Sequence, residues 1–169
     1  MEKDEYLRIA QARVDRFHTH IPETDDISLL VLKAHLLCEE ILFDIIKLKC
    51  DQPTVLDNVE IGFYVKVKLA ESLHGRLVDT VVPMLTALNS LRNELSHKLE
   101  SPRVDAKVRR FIDSVQASVV DENERPERSL SGCISYVVGF LGAVDGCLRW
   151  GTSDAPGIRL IASKVVLVD

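Results

Sequence analysis

The chain has 169 residues and a net charge of −5 at neutral pH, with 46% hydrophobic and 28% charged residues. This balance predicts one globular domain and excludes a disordered chain. The negative charge argues against wholesale electrostatic capture of nucleic acid or of an anionic membrane, so any contact with nucleic acid must be local.

Cysteine usage and apolar run length predict a cytoplasmic protein. The four cysteines form no C-x-x-C pair and lie mainly on apolar helical patterns, which favours reduced core thiols over a disulfide framework or a zinc site. The acidic, amphipathic start of the chain is unlike a signal peptide. Charges interrupt the longest apolar runs before the roughly 20 residues that cross a bilayer. We therefore expect no membrane contact.

Two helices are predicted in the first third of the chain. Residues 3–20 mix apolar and charged positions as a surface helix does, and Pro22 ends it. Asp25 or Asp26 can then cap a long second helix with the sequence ISLLVLKAHLLCEEILFDIIKLKC. This second helix is apolar almost all round, so we expect it to be the central, most buried element.

The middle of the chain predicts a loop and two more helices. Residues 51–58 are read as a loop, and a third helix follows over roughly Val59 to Leu73, with Gly75 as its C-terminal cap. A fourth helix begins at Asp79 or Thr80 and has a proline in its first turn, where a missing N–H is tolerated. Pro102 stops this helix.

The last third predicts two helices and a tail. Residues 103–120 form a fifth helix, and the polar segment DENERPERS ends at Ser129, which can cap a final helix through CISYVVGFLGAVDGCLRW. The tail, residues 151–169, contains KVVLV, a possible edge strand. The predicted fold is thus all-α: a single-domain, up-and-down bundle of about five to six helices over residues 1–150, followed by a short extended tail.

Two residues break the apolar pattern of the second helix. His35 and Glu39 lie one turn apart among leucines and isoleucines. A carboxylate in such a setting costs several kcal/mol unless it has a partner. Either each side chain reaches water or neighbouring backbone, or Glu39 pairs with a cation on another helix, with Arg92 as the candidate. In the second case Glu39 supports and orients Arg92.

The stretch NSLRNELSHKL, residues 89–99, concentrates polar groups on one side of the fourth helix. Its apolar side is a stripe of Met84, Leu88, Leu91, Leu95 and Leu99. Its polar side holds Asn89, Arg92, Asn93, Ser96 and His97. An array of a permanent cation, amides and an imidazole is typical of a functional surface, although the same residues also suit a polar dimer interface without chemistry.

The residue types on this side suit phosphate chemistry. Arg92 can grip a phosphate with two parallel hydrogen bonds. His97, with an ordinary pKa near 6.5, suits proton transfer around neutrality. On the fifth helix Arg103, Lys107 and Arg110 form a basic strip, which is either an ordinary solvated face or an edge that contacts RNA or a partner protein. The chain has no glycine-rich phosphate loop and no metal-ligand pattern, so we expect no cofactor and no metal.

LNSLRNELSH resembles the R-N-x-x-x-H motif of the HEPN superfamily, small helical bundles found among prokaryotic toxins and other RNA-cleaving proteins. The order of elements is also similar: an apolar helix resembling AHLLCEEIL, a short helix resembling FYVKVKLAESL, and then the motif helix. A similar run occurs in the mannitol-operon repressor family. The resemblance is at the level of motifs and covers about residues 28–100, not the ends of the chain; it implies a HEPN-like bundle over residues 1–150.

The resemblance implies a metal-independent endoribonuclease, toxin-like or defence-like, whose active site is shared across a homodimer. Arg92 and His97 would then be catalytic and Asn93 would assist them, with Asn89, Ser96 and Glu39 in support. RNA would be the substrate, and a cognate antitoxin or regulatory protein a possible partner. Toxins of this superfamily that pair with a nucleotidyltransferase carry a tyrosine two residues after the histidine. Leu99 stands there in this chain, so control through that tyrosine is not expected.

A second interpretation stays open. The alternative is a non-catalytic helical regulatory or interaction protein resembling the mannitol-operon repressor family. Its negative charge and the lack of a helix-turn-helix pattern argue against direct reading of DNA.

Overall fold

The structure is a computed structural model that describes residues 3–21, 24–97 and 102–150. Within these ranges the chain forms seven α-helices, two short 3-10 helices and no β-strand, which confirms the all-α bundle with slightly more helices than expected. The α-helices are α1 (Lys3–His20), α2 (Ile27–Lys47), α3 (Phe63–His74), α4 (Arg76–Asp79), α5 (Val82–His97), α6 (Val104–Ser118) and α7 (Leu130–Trp150). The 3-10 helices are Pro53–Asn58 and Glu122–Glu124. The tail, residues 151–169, with its predicted edge strand, lies outside the described residues.

The helix α2 joins two halves of the bundle. On one side it packs against α7, which α1 covers along its length. On the other side it packs against α3 and α5, and α6 covers the outer side of α5. The apolar sides of α2, α5 and α7 supply most of the buried core. The prediction that the second helix is central is therefore confirmed, but the prediction that it is the most buried element is wrong: more residues of α7 than of α2 are buried, because α1 and α2 cover α7.

Local capping explains where several helices begin and end, as the sequence predicted. The side chain of Asp26 accepts a hydrogen bond of 3.1 Å from the backbone N–H of Leu29 and so caps α2. Ser129 does the same for α7, because its Oγ lies 3.0 Å from the backbone nitrogen of Gly132. Gly75 ends α3 with a φ of +51°, a backbone conformation that glycine adopts without strain.

The segment between α2 and α3 differs from its prediction. Residues expected to form a loop make the 3-10 helix Pro53–Asn58, which has its proline in the first turn. Val59, where the third helix was expected to begin, is extended at φ −113° and ψ 123°, and α3 starts only at Phe63. The short α4 was not predicted, because four residues are too few to show helical periodicity.

The helix α7 is more apolar than the sequence pattern indicated. Residues Leu130–Arg149 form a 20-residue stretch of mean hydropathy 1.5, long and apolar enough by composition to cross a membrane, but 78% of it is buried inside the protein. Such burial is typical of the core helix of a folded bundle. All four cysteines are free, and burial raises the pKa of the Cys38 thiol to about 12.

A buried carboxylate fastens α1 to α7. Asp145 is fully buried, and its two oxygens accept hydrogen bonds from Arg149 at 2.8 Å and from Arg13 of α1 at 3.2 Å. Arg13 also bonds Asp44 of α2. The guanidinium of Arg13 therefore links three helices through two carboxylates.

Candidate functional site

Three elements converge around the polar side of α5 and leave an open cavity of about 380 Å³ between them. From α5 the cavity receives the predicted site residues Asn89, Arg92 and Asn93. The other lining residues come from α2 and from the beginning of α3: His35, Glu39, Gly62, Phe63, Tyr64 and Val65. The structure thus brings the first half of the predicted motif together with the two residues that break the apolar pattern of α2.

Asn89 connects α5 to α2. Its Oδ1 lies 3.1 Å from Nε2 of His35, a residue that is only 5% exposed. The imidazole stacks on the ring of Phe63 with 3.9 Å between the centroids. Burial lowers the pKa of His35, so the ring is neutral at pH 7 and its Nε2–H donates to Asn89. Asn89 therefore positions the start of the motif against α2.

Glu39 forms an ion pair with a lysine of α3. Nζ of Lys66 donates to one carboxylate oxygen at 2.8 Å, while Nδ1 of His35 lies 4.0 Å from the other. A partner on another helix was one of the two sequence interpretations, but it is Lys66 and not Arg92. The reason is geometric: Lys66 lies in the first turn of α3, beside the ring of Phe43 and next to the carboxylate.

Arg92 has an incomplete set of hydrogen-bond acceptors among the described residues. Its Nη1 donates to Oδ1 of Asn93 at 3.3 Å, and its Nε is buried without any hydrogen-bond partner in the described part of the chain. A buried donor without an acceptor costs about 1–3 kcal/mol, so such a group calls for an explanation. Arg92 also lines a second cavity of about 220 Å³, together with Ser28, Val31, Leu32, Leu95 and Ser96.

The end of the motif is described only in part. The hydroxyl of Ser96 donates to the backbone oxygen of Arg92 at 2.8 Å, so it is bonded within its own helix. His97 is the last residue of α5, and its side chain lies outside the described residues. The pairing of His97 with Arg92 in one site therefore stays a prediction.

The residues of the basic strip differ in burial. Arg103 and Arg110 have exposed side chains. Lys107 is partly buried, and its Nζ donates to Oγ of Ser90 at 2.7 Å, which attaches α6 to α5. Lys107 is thus involved in packing, whereas a contact of Arg103 and Arg110 with RNA or a partner stays a prediction.

Exposed apolar side chains surround the Arg92 cavities. Tyr64 and Val65, at the rim of the larger cavity, are 55% and 50% exposed. On α2, Leu32 at the smaller cavity is 42% exposed, and Leu36, one turn further, is 50% exposed. These four residues form the apolar rim of the site.

Sequence reasoning missed the part of the site that α3 contributes. Nothing in the pattern of α3 distinguished Lys66 from a solvated lysine, and Gly62 stood inside the predicted helix. The signal that was available is the pair His35 and Glu39, whose position on an apolar helix did indicate polar partners elsewhere. Within the described ranges no group of three or more histidine, cysteine or acidic side chains is arranged to hold a metal.

No protein-family model, curated protein or solved structure matches this chain. A function for this protein is therefore inferred from its own residues and their geometry.

Proposed function

We propose that the protein is a metal-independent endoribonuclease of HEPN type, with an active site shared across a homodimer. The observation that carries the proposal is Arg92: its side chain lines an open cavity on the same side of α5 as Asn93, and it forms no ion pair with a carboxylate in the described part of the chain. A phosphodiester in this cavity would offer oxygens to the guanidinium.

The proposed reaction is transesterification of RNA. The 2′-oxygen attacks the adjacent phosphorus, the bond from phosphorus to the 5′-oxygen breaks, and a 2′,3′-cyclic phosphate and a 5′-hydroxyl result. The step needs a base for the 2′-hydroxyl, an acid for the leaving oxygen and donors for the phosphoryl oxygens. His97 would exchange the protons, Arg92 would bind the phosphoryl oxygens, and Asn93 would orient Arg92 through their 3.3 Å hydrogen bond.

The homodimer supplies a second set of groups. One copy of α5 offers a single imidazole and a single guanidinium, and two copies facing each other across a twofold axis offer two of each. The apolar rim lies around the Arg92 cavities, where a second copy would cover it. In this proposal the protein acts in the cytoplasm on RNA as a toxin-like or defence-like enzyme, and a cognate antitoxin would be its regulator.

Cleavage of RNA by the purified protein in the presence of EDTA tests the proposal. We expect 2′,3′-cyclic phosphate ends from the wild type and loss of cleavage in Arg92→Ala and His97→Ala. His20→Ala, at the exposed end of α1, is the matched control and should cleave as the wild type does. Cleavage that is unchanged in His97→Ala, or that requires a divalent cation, would end the assignment.

The dimer has its own test. Leu36→Lys places a charge on the apolar rim at a half-exposed position, so it should reduce the solution mass to that of a monomer and lower cleavage without lowering the melting temperature. Val120→Lys, at a 72% exposed apolar residue outside the rim, is the matched control. An unchanged mass for Leu36→Lys would place the dimer contact elsewhere.

One observation favours the alternative, a non-catalytic helical regulatory or interaction protein resembling the mannitol-operon repressor family. The pairs His35–Asn89 and Glu39–Lys66 bond within the chain, as polar groups that fasten helices together do. This alternative predicts a stable dimer that is inert on RNA both alone and when bound to a dedicated protein partner.

A further inference from the structure

The helix α3 is attached to α2 at each of its ends through a histidine. At the first residue of α3 the ring of Phe63 stacks on the imidazole of His35 of α2, with 3.9 Å between the centroids. At the last residue of α3, Nε2 of His74 lies 2.9 Å from the backbone oxygen of Ile45 of α2. The contact between the two helices therefore depends on an imidazole at both ends.

His74 fits its position only as a neutral ring. Its Nε2–H donates to the backbone oxygen of Ile45, and its Nδ1 is buried without a hydrogen-bond partner in the described part of the chain. A proton on Nδ1 would create a buried donor without an acceptor. Burial lowers the pKa of His74 and the charge of Lys49 lowers it further, against the bond to Ile45. Packing of α3 on α2 thus favours the neutral form.

His35 is also accommodated as a neutral ring, at a position that is only 5% exposed. Arg92 and Asn89 face it from α5, Lys66 from α3 and Glu39 from its own helix. Burial lowers the pKa of His35, Arg92 and Lys66 lower it further, and Asn89 and Glu39 raise it. Because Glu39 is already paired with Lys66 at 2.8 Å, protonation of His35 adds a cation next to two others.

The helix α3 is the least buried of the three helices that line the cavity beside Arg92. Its buried residues are Phe63, Val67 and Ala70, fewer than those of α2 or α5. Segments with few buried apolar contacts open at a lower free energy than the whole molecule. Gly62 and Gly75 flank the helix, and a glycine backbone changes conformation with little steric restriction. These features favour movement of α3 as a unit.

We infer that α3 is a movable wall of the cavity beside Arg92, held against α2 by two neutral histidines and released when they take up protons. Phe63, Tyr64 and Val65 line this cavity, so release of α3 uncovers the polar side of α5. The released state takes up these protons first as the pH falls, so α3 is held above about pH 6.5 and released increasingly below it. The consequence that release changes the access of RNA rests on the proposed function.

Hydrogen exchange of the full chain at several pH values tests the release. The measured quantity is the protection factor of backbone amides, corrected for the pH dependence of the chemical exchange step. We expect α3 to be at least about tenfold less protected than α7 at every pH, because α3 opens without global unfolding. Between about pH 7.5 and 5.5 the protection of α3 should fall by at least about fivefold, and by at most about tenfold per pH unit for each histidine.

Two results would overturn the inference. Equal protection of α3 and α7 would mean that α3 leaves α2 only when the whole protein unfolds. Protection of α3 that does not change with pH would mean that its release takes up no proton.

His35→Gln and His74→Gln identify the groups that take up the protons. Glutamine keeps a donor and an acceptor but does not titrate in this range. Each single variant should lose part of the pH dependence, and the double variant should protect α3 equally at the two pH values within about twofold. His20→Gln, at the exposed end of α1, is the matched control and should keep the dependence of the wild type.

The readout in each protein is the ratio of protection at two pH values, so a general loss of stability in a variant does not imitate the expected result. A double variant with the ratio of the wild type would contradict the inference.

Exchange is measured without RNA, which separates this inference from the proposed function. A wild type that does not cleave RNA but releases α3 in acid would leave the movable wall standing without the nuclease. A wild type that cleaves RNA while the protection of α3 stays independent of pH would leave the nuclease standing without the movable wall.

Discussion

Two arginines, one in each half of the bundle, have opposite surroundings. Arg13, in the half formed by α1 and α7, bonds the carboxylates of Asp44 and Asp145. Within the described residues Arg92, in the half formed by α2, α3 and α5, bonds only the amide of Asn93 and keeps a buried nitrogen without an acceptor. The guanidinium of Arg13 is engaged in ion pairs that hold helices together. The guanidinium of Arg92 has no such carboxylate partner among the described residues.

The contrast does not lie in the number of arginines. A cavity of about 300 Å³ between α1 and α7 is lined by Arg13, Arg16 and Arg149, which is more positive charge than the Arg92 cavity has. All three, however, are paired: Arg16 with Glu40 at 2.7 Å, and the other two with Asp145. Uncompensated charge, rather than total charge, distinguishes the two regions.

The largest expected loss of stability comes from removing Asp145, the buried carboxylate that pairs with Arg13 and Arg149. Asp145→Ala leaves Arg149 without its closest carboxylate and Arg13 with only one, and breaking a buried ion pair costs about 3–5 kcal/mol. Denaturant unfolding should show a loss of that size. Asp113→Ala, which breaks an exposed pair with Arg128, is the control and should cost less than about 1 kcal/mol. Equal losses would mean that burial does not distinguish the two pairs.

The same substitution at the two arginines tests whether their surroundings give them different roles. Arg13→Met removes the cation that links two carboxylates and should lower the free energy of unfolding by about 2 kcal/mol or more. Arg92→Met removes a buried donor that has no acceptor in the described part of the chain, so it should change stability by less than about 1 kcal/mol while abolishing RNA cleavage. Both values come from the same unfolding experiment. A larger loss for Arg92→Met would show that this residue holds the fold together.

The pH dependence of stability gives a smaller effect, located beside Arg92. Burial lowers the pKa of His35 below 6.5, and Arg92 and Lys66 lower it further, whereas the bond to Asn89 and the charge of Glu39 raise it. The unfolded chain therefore takes up this proton first as the pH falls. Stability should be fully present above about pH 6.5 and should decline below it, by at most about 1.4 kcal/mol per pH unit for one histidine.

Unfolding midpoints measured between about pH 7.5 and 5.5 check this slope. His35→Gln should reduce it. His74→Gln should reduce the slope by a separate amount, because burial also lowers the pKa of His74. A His35→Gln variant with the slope of the wild type would contradict the assignment.

The smallest change in stability is expected at the ion pair between Arg16 and Glu40, close to the pairs of Asp145. Glu40→Gln breaks the ion pair with Arg16, which also joins α1 to α2, but both side chains are nearly half exposed, at 49% and 44%. Solvent screens such a pair, so the change in stability should be less than about 0.5 kcal/mol. A larger value would mean that the α1–α2 contact depends on its surface charges.

Local signals predicted much of the fold, while the site was predicted only in part. Asp26, Gly75 and Ser129 act within a few residues of their own position, so their roles were readable from the sequence. The partner of Glu39 depends on which helix packs beside it, and no local pattern records that. The network around Asp145 escaped prediction for the same reason, since Arg13 lies 132 residues away along the chain.

The pairing of α1 with α7 has a consequence for biosynthesis. These two helices, Lys3–His20 and Leu130–Trp150, are each other's most extensive neighbours, although nearly the whole described chain separates them. On the ribosome α1 emerges before α7, so it cannot pack against α7 until that helix has been translated. The bundle therefore closes late, through contacts of long sequence separation that are slow to form.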